Sequence, residues 1–280
     1  MSGGGRVAAS DARAGLEARG RVNEVMAAVV SRELHDDDLV FVGVGTSGRA
    51  FTLAVGIPMV AARLAQERHA PGLDIYWGNL LNPDLSAVPE HLSQDTITRW
   101  PGAYAPTDIG SKVDMLVRGE FDVSFESAAQ VDRFGNCNIT RIGTGALPDV
   151  RLVGSLAQPE HLAFVQRPII VVDLSPRVFV EAVDFVSSAG HGTAERPRDP
   201  ASRAPGPALV VTDRCVFDFD DRGRMRLRSL HEGTTLEDVL SRMSFRPEVP
   251  ASVPTTPPPT DDEVRAIRHA IDPSGSLLRA

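Results

Sequence analysis

The chain has 280 residues, 42% hydrophobic and 24% charged, an ordinary globular composition long enough to bury a sizeable core in one or two domains. A net charge of −8 and a pI of about 5.4 exclude the basic footprint of a nucleic-acid binder. Two cysteines 78 positions apart, Cys137 and Cys215, fit a reduced cytoplasmic protein better than a secreted disulfide framework. The N-terminal MSGGGRVAASDARAG lacks the apolar core of a signal peptide, and the longest apolar runs, around Ile169–Val172, fall far short of the ~20 residues that span a bilayer.

In chain order, residues 1–15 are small and polar and read as a flexible tail. Val22, Val25, Met26, Val29, Val30 and Leu34 then recur at helical spacing, and Asp36-Asp37-Asp38 ends that element. Leu39–Val42 reads as a buried strand, followed by Gly43, Gly45 and Gly48, with a second helix expected over Met59–Gln66. Further strands are expected at Leu73–Trp77, Asp122–Phe125, Ile169–Asp173, Phe179–Phe185 and Ala208–Thr212. Strands alternating with helices predict an α/β fold with an open, largely parallel sheet flanked by helices. Val216–Phe219 and Met225–Leu230, joined by DDRG with Arg224, Arg226 and Arg228 at every second position, predict an antiparallel hairpin with one wet face in the C-terminal half. Residues 190–207 read as a surface loop. Residues 247–259 carry six Pro and form a strap, after which Thr260-Asp261-Asp262-Glu263 is a capping box opening a last helix. Residues 16–246 thus read as a single α/β domain, with the strap and helix of 247–280 packed on it.

Gly43-Val44-Gly45-Thr46-Ser47-Gly48 matches G-x-G-x-x-G after a strand, so its amides could approach an anion, or it could be a plain tight turn. The next strand ends in Gly78-Asn79, with no Asp or Glu where a nucleotide ribose would need one. The seven His are scattered, none paired with another His or Cys at ligand spacing, so no metal site is expected. The stretch FESAAQVDRFGNCNIT, residues 125–140, holds more turn-competent polar groups than a hairpin needs, at the C-terminal end of a strand where open α/β sheets keep their sites. Glu126 there is a candidate nucleophile or acid/base; the alternative is a salt-bridged or solvent-facing side chain. Cys137 reads as a buried structural thiol. Gln130, Asp132, Asn136 and Asn138 either contact substrate or hold turn backbone.

Gln130-Val131-Asp132-Arg133-Phe134-Gly135-Asn136-Cys137-Asn138 resembles the G-G-A-Q-[VI]-D-x-x-G-N-x-N signature of the β subunit of the family I CoA-transferase superfamily. The resemblance extends over residues 20–280: LVFVGVG at 39–45, RVFVEAVDFVSS at 177–188, SLHEGTTLEDVL at 229–240 and the tail Thr260–Pro273 are similar to further blocks of that family. It implies an open α/β fold, an α subunit completing the site in an αβ or α2β2 assembly, acyl-CoA substrates, and coenzyme A only as part of the substrate, with no tightly bound cofactor. It also implies oxyanion-holding amides at Gly43, Gly45, Ser127, Ala128, Gln130 and Asn136. The sequence departs from the family where the nucleophilic Glu belongs: an ungapped placement puts Trp77 there, Ser127-Ala128-Ala129 replaces G-G-A, and about ten extra residues around Ser47–Gly56 lengthen the first glycine turn. The two-subunit hydrolases that open the last steroid rings as CoA thioesters lack that Glu too, and the C-terminal blocks are most similar to theirs. The resemblance therefore implies CoA-ester ring opening by hydrolysis, with CoA transfer or a non-catalytic structural role as alternatives.

Overall fold

Apolar runs bounded by Gly, Asp and Pro become strands, and amphipathic runs become helices. A computed structural model describes residues 4–43, 47–87, 101–104, 108–193 and 197–278. Its helices are α1 (Gly4–Ser31), α2 (Gly48–Phe51), α3 (Ile57–Arg68), α4 (Ile109–Arg118), α5 (Gln158–Phe164), α6 (Leu236–Ser241) and α7 (Asp261–Ala266). The strands are β1 (Leu39–Val42), β2 (Asp74–Trp77), β3 (Leu80–Leu81), β4 (Ala103–Tyr104), β5 (Val123–Glu126), β6 (Gln130–Val131), β7 (Cys137–Asn138), β8 (Arg141–Ile142), β9 (Val150–Arg151), β10 (Arg167–Val171), β11 (Leu209–Val211), β12 (Cys215–Phe219) and β13 (Met225–Leu230). Nine of them form one sheet in the order β13-β12-β11-β10-β5-β1-β2-β3-β4. The five central strands, β11 to β2, are parallel, and antiparallel pairs close both ends. This is the open α/β sheet that the alternating pattern predicts, with the expected hairpin at β12–β13.

Period-two alternation sorts the strand side chains onto two faces. Val40, Val42, Ile75, Trp77, Val123, Phe125, Ile169 and Val171 pack with Met26 and Val30 of α1 and Met59, Val60 and Leu64 of α3. On the opposite face Phe41 and Tyr76 meet Leu116 of α4, Phe121 and Val165. The connection leaving β1 runs to the first face and that leaving β5 to the second. Since β2 and β5 flank β1 on opposite sides, the order of the sheet reverses between β1 and β5, which leaves a crevice beyond their C-terminal ends.

Three features differ from the sequence expectations. The first helix extends back to Gly4, through the stretch whose composition suggests a loose tail. Ser47–Gly56 does not lengthen a turn: Gly48–Phe51 is α-helical and Thr52–Gly56 is wound as a π-helix leading straight into α3. The π turn brings Gly56 against the C-terminal segment, where a Cβ would sit 1.9 Å from the Leu277 carbonyl oxygen. Gly48–Arg68 is consequently a 21-residue helical run of mean hydropathy 1.2, long and apolar enough to cross a membrane by composition, but 72% of that window is buried within the protein. Finally, Phe179–Phe185 is no strand. It wraps the β6–β7 hairpin through a single bridge at Phe179–Val131, with Val131 N donating to Val178 O (2.7 Å) and Val180 N to Val131 O (3.1 Å).

The C-terminal part follows its pattern. Arg226 and Arg228 face outward from β13 while Met225, Leu227 and Ser229 are buried. The proline strap runs along the outer edge of β13: Leu227 N donates to Glu248 O (2.8 Å), and Leu230 exchanges bonds with Pro254 O and Thr256 N. Thr260 and Glu263 form the capping box that opens α7.

Candidate functional site

Residues at the crevice are set by strand register. Val42 pairs with Trp77, Phe41 with Ser124, and Ile170 with Glu126, so Gly43 and Glu126 close neighbouring strands at one edge of the sheet. A Cβ built on Gly43 would lie 3.9 Å from Phe125 O and 4.0 Å from Ala54 O, ordinary contacts, so neither packing nor a positive φ requires glycine there. Gly45, the second glycine of the turn, lies outside the described residues. Arg49, at the start of α2, reaches past β5 to Asp173 beyond β10, donating Nε–H to Oδ2 (2.8 Å) and Nη2–H to Oδ1, and gives Nη1–H to Asn23 Oδ1 (2.7 Å). This fork fixes the helix after the glycine turn across the end of β5.

Glu126 is buried, at 5% exposure, so it does not face solvent, and among the described residues it pairs with His161 and with no Arg. Its Oε1 lies 2.6 Å from Nδ1 of His161 on α5. His161 is equally buried, with its ring edge-on to Phe41 at 4.4 Å between centroids. One turn earlier on α5, Gln158 donates Nε2–H to Ser127 O (3.0 Å) and accepts from Ser188 Oγ (2.9 Å). Helix α5 therefore holds two consecutive residues leaving β5, one by its side chain and one by its carbonyl. Ala128 packs against the core beneath β10–β13, and Ala129 N donates to Asn138 O (3.0 Å). Trp77, at the end of β2, points into the opposite face and is 1% exposed.

The polar run that follows is bonded to itself. Gln130 Oε1 accepts from Asn138 Nδ2 (2.7 Å) and from Asp184 N (2.9 Å). Asp132 accepts from Phe134 N, Asn136 N and Asn136 Nδ2, and Asn136 Oδ1 takes Gly190 N–H at 2.8 Å. Asn138 receives Thr140 N and Arg141 N and donates to Arg141 O. Burial pushes the Asp132 carboxyl up, against the three amide donors that pull it down. Gly135 holds φ 74°, and Gly190 lies so close that a Cβ would meet Phe134 O at 2.1 Å. Gln130 and Asn136 are thus built into the turn itself, and Asn136 lines, with Asp132, the concavity described next. Cys137 is fully buried, and burial, reinforced by the Glu126 and Asp132 carboxylates, pushes its thiol well up, the environment of a structural cysteine.

A second concavity, about 390 Å³, opens on the far side of this turn between Asp132, Phe134, Glu181, Val186, His191 and Arg198. Arg198 is spent on the carbonyls of Ala189, Gly190 and Leu162. Among the described residues no three His, Cys, Asp or Glu side chains converge as a metal site.

Sequence reasoning brings Gly43, Glu126, Ser127 and Ala128 to one edge. It misses His161, Gln158, Arg49 and Asp173, whose partners lie 26 to 124 residues away and leave no local spacing to read. The fold and signature are matched by known proteins. The coenzyme A transferase family model covers residues 23–242. The B-type component of the 3-oxoadipate CoA-transferase of Pseudomonas knackmussii is 30% identical over 249 residues, 88% of this chain and 91% of that protein. The cholesterol ring-cleaving hydrolase IpdB subunit of Mycobacterium tuberculosis is 34% identical over 216 residues, 76% of this chain and 83% of that protein. The glutaconate coenzyme A-transferase structure from Acidaminococcus fermentans superposes with a TM-score of 0.75 at 24% identity, covering 92% of this chain and 97% of the other. With the switch-point crevice, the amide-rich turn and these matches taken together, the chain belongs to the coenzyme A transferase family.

Proposed function

We propose that this chain is the β subunit of a two-subunit enzyme that opens a steroid-derived CoA ester by hydrolysis, with an α subunit completing the crevice. The observation that carries this is Trp77. It ends β2, where the family resemblance puts the nucleophilic Glu, and its indole is buried in the core, unable to form an anhydride or a thioester. The 34% identity to a subunit named as a cholesterol ring-cleaving hydrolase supports the same reading. Water then attacks the ketone carbon of a β-keto thioester. The bond to the α-carbon breaks, its electrons pass to the thioester enolate, and the proton taken from water returns to that carbon. The enolate oxygen sits against the amides of Gly43, Ser127 and Ala128, while Gln130 and Asn136 hold the turn in shape. Glu126 carries the proton. Coenzyme A enters as part of the substrate and no tightly bound cofactor is needed. Buried free thiols at Cys137 and Cys215 suit a reduced, cytoplasmic setting.

The named activity of the 3-oxoadipate relative favours CoA transfer as the second reading. The test is to purify the complex with its α subunit and offer a panel of acyl-CoAs with and without an acceptor acid. Hydrolysis without acceptor, and no adduct trapped by hydroxylamine or borohydride on either chain, is expected. Strict dependence on an acceptor with a trapped glutamyl thioester would establish transfer instead.

A further inference from the structure

Glu126 and His161 are an isolated buried pair. Their contact, Nδ1 to Oε1 at 2.6 Å, is the one side-chain hydrogen bond Glu126 makes among the described residues, and Oε2 makes none there. His161 Nε2 is buried with no hydrogen-bond partner among the described residues. A buried ring nitrogen without a partner is costly to stability, so this histidine is not placed there for stability alone. Its ring lies edge-on to Phe41, and Phe41 in turn packs edge-on to Phe121 at 5.3 Å. The neighbouring prong of the same helix, Gln158, fixes the Ser127 carbonyl. The two prongs are one helical turn apart, so α5 presents them together to the strand exit.

We propose that His161 is a positioning residue for Glu126: its Nδ1–H pins Oε1 and leaves Oε2 as the oxygen that moves the proton at the switch-point crevice. This rests on the acyl-CoA reading above and assigns that reading a residue no local motif supplies. The geometry follows the general logic of an orienting hydrogen bond behind a base, with the carboxylate as base and the imidazole as holder. No group is oxidised or reduced. The proton removed from water resides on Oε2 and is returned to the α-carbon.

The test uses the complex with its α subunit and an acyl-CoA that the wild type turns over, comparing Glu126→Gln, His161→Leu, His161→Asn and the double variant Glu126→Gln/His161→Leu. Asn places an amide N–H where imidazole Nδ1 sits; Leu removes the donor. Glu126→Gln is expected to lower kcat about 100-fold or more. His161→Leu is expected to lower it about tenfold or more with KM within about threefold, His161→Asn to recover most of that loss, and the double variant to be no slower than Glu126→Gln alone. If His161→Leu fails to fold by circular dichroism, His161→Gln, whose amide reaches the Nε2 position, replaces it with the same expected loss. Wild-type rates in His161→Leu, an Asn variant as slow as the Leu variant, or additive losses in the double variant overturn the proposal while leaving the acyl-CoA reading standing. A wild-type complex inert towards every acyl-CoA removes that reading, and the role of His161 with it.

Discussion

Replacing Gly43 with Ala separates folding from function. The methyl group would meet Phe125 O at 3.9 Å and Ala54 O at 4.0 Å, and Gly43 is not among the residues with positive φ. Nothing in the fold resists it. An added Cβ at a compatible position stiffens the unfolded chain and stabilises by about 0.4–1 kcal/mol. In a chain of this size that raises Tm by roughly 1 to 3 °C. The same methyl intrudes on the strand edge, beside the end of β5, where the proposed function puts the substrate oxygen. Alanine keeps the Gly43 N–H, but a methyl that holds the oxygen out of reach of one preorganised donor costs about 2.7 kcal/mol, or about 100-fold in rate. Calorimetry on the chain and acyl-CoA turnover by the complex read the two effects independently. Expected is an unchanged or raised Tm with turnover reduced about 100-fold. A Tm lowered by more than about 3 °C would make the glycine a packing requirement. Unchanged turnover at unchanged Tm would move the site away from this crevice.

Gly190→Ala should behave oppositely, since its Cβ would lie 2.1 Å from Phe134 O and 2.4 Å from Gly135 C; about 2–4 kcal/mol of stability should vanish in urea titration. Asn138→Ala strips a fully buried side chain that ties Gln130 and the Arg141 carbonyl together, and should cost about 2–4 kcal/mol with an unchanged m-value. His231 is held neutral by burial between Thr256 and the Thr212 carbonyl, and burial lowers the titration of His191 likewise. The unfolded histidines, near pKa 6.5, then bind protons that the folded protein refuses, so stability falls as pH drops below about 6.5, by at most about 1.4 kcal/mol per pH unit for His231. Thermal melts from pH 7.5 to 5.5 should record that slope, and His231→Asn should flatten it whatever its offset.

The central strands are legible in the sequence because continuous apolar runs such as Leu39–Val42 and Ile169–Val171 have one physical meaning, burial on both sides of a parallel sheet. The hairpin at β12–β13 is legible because alternating Arg marks its wet face. Phe179–Phe185 misleads: Phe179 and Val180 carry β-forming side chains, yet their backbone serves the β6–β7 hairpin instead of the main sheet. The helix from Gly48 reads short because Gly56 and Pro58 look like breakers. Pro58 lies where the π turn hands over to α3, inside the continuous helical run, and Gly56 admits Leu277. At the site, Gly43 and Glu126 can be placed by the rule that sites lie beyond strand ends. His161 cannot, because the partner of a buried carboxylate is chosen by tertiary packing across 35 residues and leaves no periodic trace.

The self-bonded run from Gln130 to Asn138 has a wider consequence. Its amides and carboxylate answer one another, so the motif makes few demands on whatever molecule arrives at the crevice. Selection can therefore exchange the reacting group at a strand end, or move it to another chain of the assembly, without disturbing the letters by which these proteins are recognised. Such a signature is an heirloom of architecture: kinship is written in the turn, and the reaction must be sought in the few side chains around it.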